Sequence, residues 1–191
     1  LSPSEAQTFE ITSGIALKSD FEAAKLSGIG FAVASSSSSN TGEATIDYKS
    51  TDWKQLKIGS ASFSTLNSLD WSLVKVGELQ TEELKKVDWS SVNTSSFSSE
   101  TYSELDWSTV KIGDFTAESK NSLDWSKVKI GDVKTEEVKK LDWSLVKVGD
   151  LQTEELKKVD WSAVNTSTFS SETYSELDWS TVKIGDVTSE S

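Results

Sequence analysis

Tryptophan recurs at one constant interval along most of this chain. Eight Trp residues are each 18 positions apart, and an Asp precedes every one of them. A fixed period of this length indicates an array of stacked repeats, since one short unit cannot bury its own apolar side without a neighbour. The eight residues are Trp53, Trp71, Trp89, Trp107, Trp125, Trp143, Trp161 and Trp179.

Numbered from the Asp as position 1, the repeat reads D-W-S-x-V-K-[IV]-G-[DE]-L-x-T-E-E-L-K-K-[LV]. Seven full repeats span residues 52–177, and an eighth begins at Asp178; we number them 1 to 8. A longer period is superimposed, because residues 70–119 match residues 142–191 at 45 of 50 positions, an offset of four repeats. Such near identity is typical of a duplicated structural array rather than of an active site. Because residue 191 falls inside a repeat, we expect the array to continue beyond it.

Each repeat carries two local patterns. Val74 and Val76 alternate with Lys75, which is the periodicity of a strand. The stretch 81–86 instead predicts a short helix with Thr81 as N-cap, two acids in the first turn and two lysines in the last. Residues 98–104 have the same role in the variant repeat. The sequence therefore predicts a repeat solenoid of 18-residue coils with a short strand plus a short helical turn per coil, and an all-β solenoid is the alternative.

Read across its boundary, the repeat resembles the leucine-rich-repeat pattern LxxLxLxxNxLxxL. Val138, Leu141, Trp143, Val146, Val148 and Leu151 occupy its apolar sites. Val146 stands where that family usually has Asn, and the repeat is shorter than the family's, which has about 20–29 residues. The resemblance covers about residues 48–191, and it implies a leucine-rich-repeat-like coil with Trp facing inward.

Residues 1–47 lie outside the array and form an N-terminal cap or the end of a preceding domain. Strands are predicted at 9–11 and 28–33, and a short capped helix at 19–26. A Ser-rich linker follows at 35–42. The solenoid occupies residues 48–191.

Missing residue types exclude several functions. The chain has no His, Cys or Met, so a Cys/His zinc site, a thiol nucleophile and a Ser-His-Asp triad cannot form. The net charge of −12 would repel a phosphate backbone, and no apolar run is long enough for a membrane span. The acids recur identically in every repeat, whereas an active site needs one asymmetric pocket. We therefore expect no enzyme, no nucleic-acid partner and no catalytic residue or cofactor-binding site.

The Trp residues allow two interpretations. If they face inward, they form a structural stacking row in the core, with an indole N–H that needs a partner. If they face outward, they form an aromatic strip suited to sugar rings. The inward arrangement is favoured, because eight exposed Trp would create a large aggregation-prone patch.

The Asp residues would form a second row. Two carboxylates about 5 Å apart repel by about 0.8 kcal/mol even in water, so something should compensate. One explanation is hydrogen bonding to backbone N–H groups or to the following Ser. The other is Ca²⁺ held between successive carboxylates, for which the metal candidates are Asp70, Asp88, Asp106, Asp124, Asp142 and Asp160.

Two sequons recur at the same place in the variant repeat, at Asn93 and Asn165. They are glycosylation sites if the source glycosylates secreted proteins.

These observations predict a non-enzymatic, acidic structural protein. We expect an extracellular or cell-surface stalk, fibre subunit or adhesin that self-associates, forms filaments or contacts neighbouring surface proteins. The alternative is a ligand-binding module that recognises glycans along an aromatic or concave face.

Overall fold

A computed structural model of the chain describes residues 28–34 and 45–183. The chain forms two compact units, residues 1–57 and 58–191, so the first Asp-Trp pair of the array belongs to the N-terminal unit. The strand expected at 9–11, the helix at 19–26 and the linker at 35–42 lie outside the described residues.

The N-terminal unit holds one short antiparallel ladder. Strands β1 (Val33–Ala34) and β2 (Thr45–Ile46) pair so that Val33 lies opposite Ile46. The strand expected over 28–33 is shorter than predicted, because residue 28 is helical and residues 29–30 form a turn. Gly30 takes the left-handed φ of 88° at that turn, a conformation that favours glycine. The ring of Phe31 meets Trp53 edge to face at 6.1 Å, so the first Trp is covered within this unit.

The second unit is helical throughout the part that the structure describes, residues 58–183. Seven short α-helices mark positions 12–17 of successive repeats. They are α1 (Phe63–Ser68), α2 (Thr81–Leu84), α3 (Ser99–Glu104), α4 (Ala117–Ser122), α5 (Thr135–Lys140), α6 (Thr153–Leu156) and α7 (Ser171–Glu176).

Single turns of 3₁₀-helix fill most of the remaining sequence. Those that begin at Trp are Trp89–Ser91, Trp125–Lys127, Trp143–Leu145 and Trp161–Ala163. Those that begin at position 7 are Ile58–Ser60, Val76–Glu78, Thr94–Ser96, Ile112–Asp114, Ile130–Asp132, Val148–Asp150 and Thr166–Thr168. At Trp71, Trp107 and Trp179 the same place holds a hydrogen-bonded turn.

Every repeat therefore contributes three helical segments. We call them the Trp segment (positions 2–4), the middle segment (positions 7–9) and the α segment (positions 12–17). The predicted strand is wrong, both for the strand-plus-helix coil and for the all-β alternative. In place of the strand expected at Val74–Val76, the structure has a 3₁₀ turn that begins at Val76. No strand lies within residues 58–183.

The pairs of apolar residues explain this outcome. Trp71 and Val74 are three residues apart, as are Val76 and Leu79, and all four are buried. A 3₁₀-helix has three residues per turn, so residues i and i+3 lie on one face. The V-K-V alternation is too short to form a strand and instead joins two such turns, with exposed Lys75 between them.

The period with which the segments stack differs from the period of the sequence repeat. The middle segment of repeat 4 packs on α5, and α5 packs on the Trp segment of repeat 7. The Trp segment of repeat 3 packs on the middle segment of repeat 4. In each case the two partners are four segments apart along the chain. The main contacts follow this rule, except that the Trp segment of repeat 6 also contacts α7, five segments away.

The coil of this unit therefore has four segments per turn, whereas each repeat supplies only three. Hydrogen bonds between coil turns accordingly join residues 22–30 positions apart. One repeat advances the chain by three quarters of a coil turn. Four repeats make three complete coil turns, and four repeats is also the longer period found in the sequence.

Candidate functional site

Seven of the eight Trp rings lie inside the protein. Trp53, Trp71, Trp89, Trp107, Trp125, Trp143 and Trp161 are all at most 1% exposed, while Trp179, near the end of the described residues, is 44% exposed. Because Trp segments are three segments apart and stacked segments are four apart, successive Trp lie on different sides of the coil. Ring contacts between neighbouring Trp join Trp71 to Trp89 at 6.3 Å and Trp143 to Trp161 at 5.9 Å.

The indole N–H groups divide into two classes that follow the four-repeat period. Those of Trp107 and Trp125 donate to the carbonyl oxygen five residues earlier, at 3.0 and 3.1 Å. Trp53 and Trp179 make the same bond. The buried N–H groups without an acceptor among the described residues are those of Trp71, Trp89, Trp143 and Trp161.

The Asp side chains cap the N-terminal ends of the Trp segments. Oδ1 of Asp106 accepts from the backbone N–H of Ser108 at 3.0 Å and from its hydroxyl at 2.6 Å. The same pair of bonds is made by Asp70, Asp88, Asp142, Asp160 and Asp178. These bonds are the ones expected if hydrogen bonding to backbone N–H groups and to the following Ser compensates for the repulsion between the Asp residues. They also satisfy an N–H that the short turn leaves free.

Asp124 differs from the other members of the series. Its Oδ2 lies 2.6 Å from Nζ of Lys127, and Oδ1 accepts from the hydroxyl of Ser126. The lysine and then the hydroxyl hold the pKa of Asp124 below its usual range.

Calcium remains an untested prediction for this series. Within residues 28–34 and 45–183, no group of three or more acidic side chains is placed to hold a metal ion. Successive Asp residues also lie on different sides of the coil, because they belong to Trp segments three segments apart.

Position 14 holds a set of polar side chains that the sequence analysis missed. Oε2 of Glu137 accepts from the N–H of Gly113 in the preceding repeat at 3.2 Å, and Glu83 and Glu155 bind Gly59 and Gly131 in the same way. In repeats 3, 4 and 7, where position 14 is Thr or Ser, its hydroxyl donates to a backbone carbonyl of an earlier coil turn. Those bonds run from Thr101 to Trp71, from Thr173 to Trp143 and from Ser119 to Val92. Position 14 therefore ties successive coil turns together.

The glycine at position 8 allows the close approach. A Cβ built on Gly113 would lie 2.7 Å from Cβ of Lys140, and one on Gly131 would lie 2.5 Å from Cβ of Lys158. At Gly149 the nearest atom is instead the carboxylate end of Glu176, at 3.1 Å.

Repeat 3 and repeat 7 replace this glycine. Ser95 stands at position 8 of repeat 3, and Thr94 before it is buried, donating to the carbonyl of Ser119 at 2.6 Å. Its hydroxyl also contacts that of Ser122. Positions 14 and 17 of repeat 4 are thus both serine, and they match the hydroxyl-bearing middle segment of repeat 3.

One cation lies in the core. Lys120 occupies position 15, which is apolar or Tyr in the other described repeats of this unit, and is 5% exposed. Its Nζ donates to the carbonyl of Gly113 at 3.3 Å. Burial lowers the pKa of the amine, although the negative charges of Asp142 and Asp114 act in the opposite direction.

Two grooves lie four repeats apart along the sequence. The first, about 540 Å³, is lined by Lys75, Gly77, Glu78, Glu100 and Glu104. The second, about 170 Å³, includes the equivalent Lys147, Glu172 and Glu176. Both are open to solvent, and equivalent lysine and glutamate side chains line them.

The sequon asparagines have a structural role. Oδ1 of Asn93 accepts from the N–H and the hydroxyl of Ser95, and Asn165 does the same with Ser167. Each caps the N-terminal end of its middle segment, as the Asp residues cap the Trp segments. Glycosylation at these residues stays a prediction.

Comparisons of the chain with family models, with curated proteins and with solved structures gave no match. The strand implied by the leucine-rich-repeat resemblance is absent from the described repeats. In the part of the chain that the structure describes, no helix is both long and apolar enough to cross a bilayer.

Proposed function

We propose that this chain is a non-enzymatic structural protein, an extracellular or cell-surface stalk, fibre subunit or adhesin. The number of its coil turns sets the length of the array. The observation that carries this proposal is the use of position 14, where a side chain of each described repeat from 2 to 7 binds the backbone of an earlier coil turn. A repeat built to hold its neighbours is suited to spacing and load bearing.

The acidic side chains that could carry chemistry also make hydrogen bonds within the array. Five of the six Asp candidates use Oδ1 to cap a Trp segment, and Asp124 binds Lys127 and Ser126. Position 14 carboxylates bind glycine N–H groups. These contacts support a structural role over an enzymatic one, because each group already has a partner within the array.

Self-association belongs to this proposal. Tyr174 and Trp179 are 50% and 44% exposed, whereas their equivalents four repeats earlier, Tyr102 and Trp107, are 3% and 1% exposed. In the interior, Asp124 of the next coil turn covers Tyr102 and donates its N–H to the phenol oxygen at 2.7 Å. Self-association in this proposal means that a coil turn of a second copy makes the kind of contact that Asp124 makes to Tyr102 within one chain.

The alternative, a module that recognises glycans along an aromatic face, is less well supported. Seven Trp rings are buried, and among the described residues the exposed large aromatic side chains are Phe63, Tyr174 and Trp179. These three do not form a repeating strip. A glycan would have to bind near the C-terminal end of the described array.

Tryptophan fluorescence separates the two functions. For a structural protein we expect blue-shifted emission that acrylamide quenches weakly and that a panel of soluble glycans leaves unchanged. Red-shifted emission quenched saturably by one glycan class would overturn the structural proposal. Trp179→Phe is the matched variant, since it removes the one exposed indole among the described residues without touching the buried ones.

Location and association need separate measurements. Antibody labelling of intact source cells, compared with permeabilised cells, tests the extracellular placement. Sedimentation over a hundredfold concentration range tests self-association, which Trp179→Ser should weaken and Phe63→Ser should leave unchanged. Labelling only after permeabilisation would exclude the stalk or adhesin role.

A further inference from the structure

We infer that the architectural module of this array is a block of four repeats, not the single repeat, and that positions 8, 14 and 17 determine which repeat can follow which. This inference goes beyond the proposed function, because it concerns how the array is assembled whatever the array does. It rests on the difference between three segments per repeat and four segments per coil turn.

A segment stacks on the segment four places later, so the same side of the coil recurs every four segments. The same segment type recurs every three segments. Equivalent residues therefore lie on the same side of the coil only after twelve segments. Twelve segments are four repeats and three coil turns. A shift of one repeat moves every surface by three quarters of a coil turn, so identical residues in neighbouring repeats face different directions. A surface on one side therefore recurs only every four repeats, as the two acidic grooves do.

The environments of equivalent residues obey the same rule. The backbone N–H of Trp71 donates to the hydroxyl of Ser96, and that of Trp143 donates to Thr168, the residue four repeats after Ser96. The indoles of both Trp residues are also alike, since each is buried without an acceptor. Of the intervening Trp residues, Trp107 and Trp125 differ because their indoles donate to a carbonyl, while the indole of Trp89 is buried without an acceptor, as is that of its equivalent Trp161.

The pairing between repeats takes three forms. Where position 8 is glycine and the next repeat has Glu at position 14 and Lys at 17, the carboxylate binds the glycine N–H and the lysine Cβ packs on it, as in Gly113 with Glu137 and Lys140. Where the next repeat has Thr at 14 and Glu at 17, the glutamate carboxylate lies over the glycine, as in Gly77 with Glu104.

The third form has hydroxyls on both sides. Thr94 and Ser95 of repeat 3 precede Ser119 and Ser122 of repeat 4, and Thr94 binds both serines. Placed before a repeat of the first form, Ser95 would bring its Cβ to within about 2.7 Å of a lysine Cβ, the distance found for a Cβ built on Gly113. Repeats 3 and 4 are therefore matched to each other and cannot exchange places freely.

Exchanging repeats tests this inference without changing length or composition. In the swapped chain, residues 106–123 precede residues 88–105, so Ser95 comes to lie opposite Lys140. We expect its urea midpoint to fall clearly below that of the unmodified chain. Adding Ser95→Gly should recover part of the loss in the swapped chain, but it should not stabilise the unmodified chain. An equal midpoint for both chains, or an equal effect of Ser95→Gly in both, would overturn the pairing rule.

A deletion tests the size of the module. Removing residues 70–141 joins Leu69 to Asp142 and preserves every pairing, because residue 142 is the equivalent of residue 70. We expect one cooperative urea transition and an unchanged near-ultraviolet circular dichroism per buried Trp. Loss of that signal, or a broad transition without a native baseline, would show that four repeats are not a self-sufficient increment.

Discussion

The backbone N–H of Gly113 donates to Oε2 of Glu137 at 3.2 Å, across one coil turn and 24 positions of sequence. The bond requires the middle segment of repeat 4 to approach α5 so closely that only hydrogen fits on the Gly113 Cα. The same contact at Gly59 and Gly131 makes it a regular feature of the array.

Gly113→Ala should destabilise the protein by about 2 kcal/mol, because the new Cβ would lie 2.7 Å from the Lys140 Cβ and one segment must move. The matched control is Gly149→Ala, whose Cβ would lie 3.1 Å from the movable carboxylate of Glu176 and at the ordinary contact distance of 3.4 Å from its Cβ, and which should be neutral. Urea unfolding of both variants measures the difference. Equal midpoints would show that close approach is not what selects glycine at position 8.

Glu137→Ala should cost about 1–2 kcal/mol, since it removes the acceptor of the Gly113 N–H and the ion pair with Lys140 at 3.1 Å. Glu136→Ala is the control, because that neighbouring side chain is 79% exposed and its ion pair with Lys139 spans 3.8 Å. Glu137→Gln keeps an acceptor oxygen and should recover part of the loss. A cost for Glu136→Ala as large as that for Glu137→Ala would contradict this account.

The helical part of the repeat could be predicted from residue types. Two acids followed by two lysines predict the helix that the structure has at α2, and the helix expected within residues 98–104 is α3, with Ser98 as its N-cap. The cap of α2 differs, since Gln80 holds that position and Thr81 is its first helical residue. A hydroxyl one residue inside a helix start cannot be distinguished by composition from one at the cap.

The absence of a strand and the stacking period of four segments could not be predicted in the same way. Val74-Lys75-Val76 fits strand alternation over only three residues, while the Trp71–Val74 and Val76–Leu79 spacings of three fit 3₁₀ faces equally well. The number of segments per coil turn depends on how each segment bends into the next. Nothing in the period of the sequence repeat reports that geometry.

Position 14 was missed for a related reason. The residue pattern places Glu83 among the acids of a helical first turn, which does not indicate burial, yet both Glu83 and Glu137 are buried. The sequence does contain a signal, since glycine at position 8 precedes Glu or Thr at position 14 of the next repeat, and Ser95 precedes Ser119. That signal has meaning only once the coil turn is known.

Chelation should leave the thermal midpoint unchanged. Oδ1 of Asp106 already accepts two hydrogen bonds from Ser108, as its counterparts do from their own serines, and the described residues bring no group of three acidic side chains together to supply the several oxygen ligands that Ca²⁺ takes. Thermal melts in EDTA and in excess Ca²⁺ make the comparison. A midpoint that falls in EDTA and returns with Ca²⁺, but not with Mg²⁺, would establish the calcium site and refute this prediction.

Trp125→Phe should destabilise the protein by about 1 kcal/mol more than Trp143→Phe. Both rings are buried, but only the Trp125 indole N–H has an acceptor, the carbonyl of Lys120 at 3.1 Å. Replacing Trp143 removes an N–H that is buried without a partner, which offsets part of the packing loss. Urea unfolding measures both variants, and Trp107→Phe against Trp71→Phe repeats the test. Equal losses within each pair would contradict the assignment of two indole classes.

Lys120→Leu should stabilise the protein by about 1 kcal/mol at pH 7, because leucine fills position 15 as it does in repeats 2 and 6 and removes a buried charge. Burial holds the pKa of the Lys120 amine below the value of about 10.4 that it has in an unfolded chain. The unfolded state therefore binds more protons between those two pKa values, so raising the pH through that window stabilises the protein with Lys120.

The advantage of Lys120→Leu should accordingly shrink as the pH rises from 7 toward 10.5. Urea unfolding at both ends of that range measures it, with each variant compared against the unmodified chain at the same pH so that other lysines and tyrosines cancel. Lys139→Leu is the control, since its side chain is 55% exposed and should give only a small effect. A gain that stays constant with pH would show that the Lys120 amine carries no burial penalty, and destabilisation by Lys120→Leu would show that its bond to Gly113 outweighs that penalty.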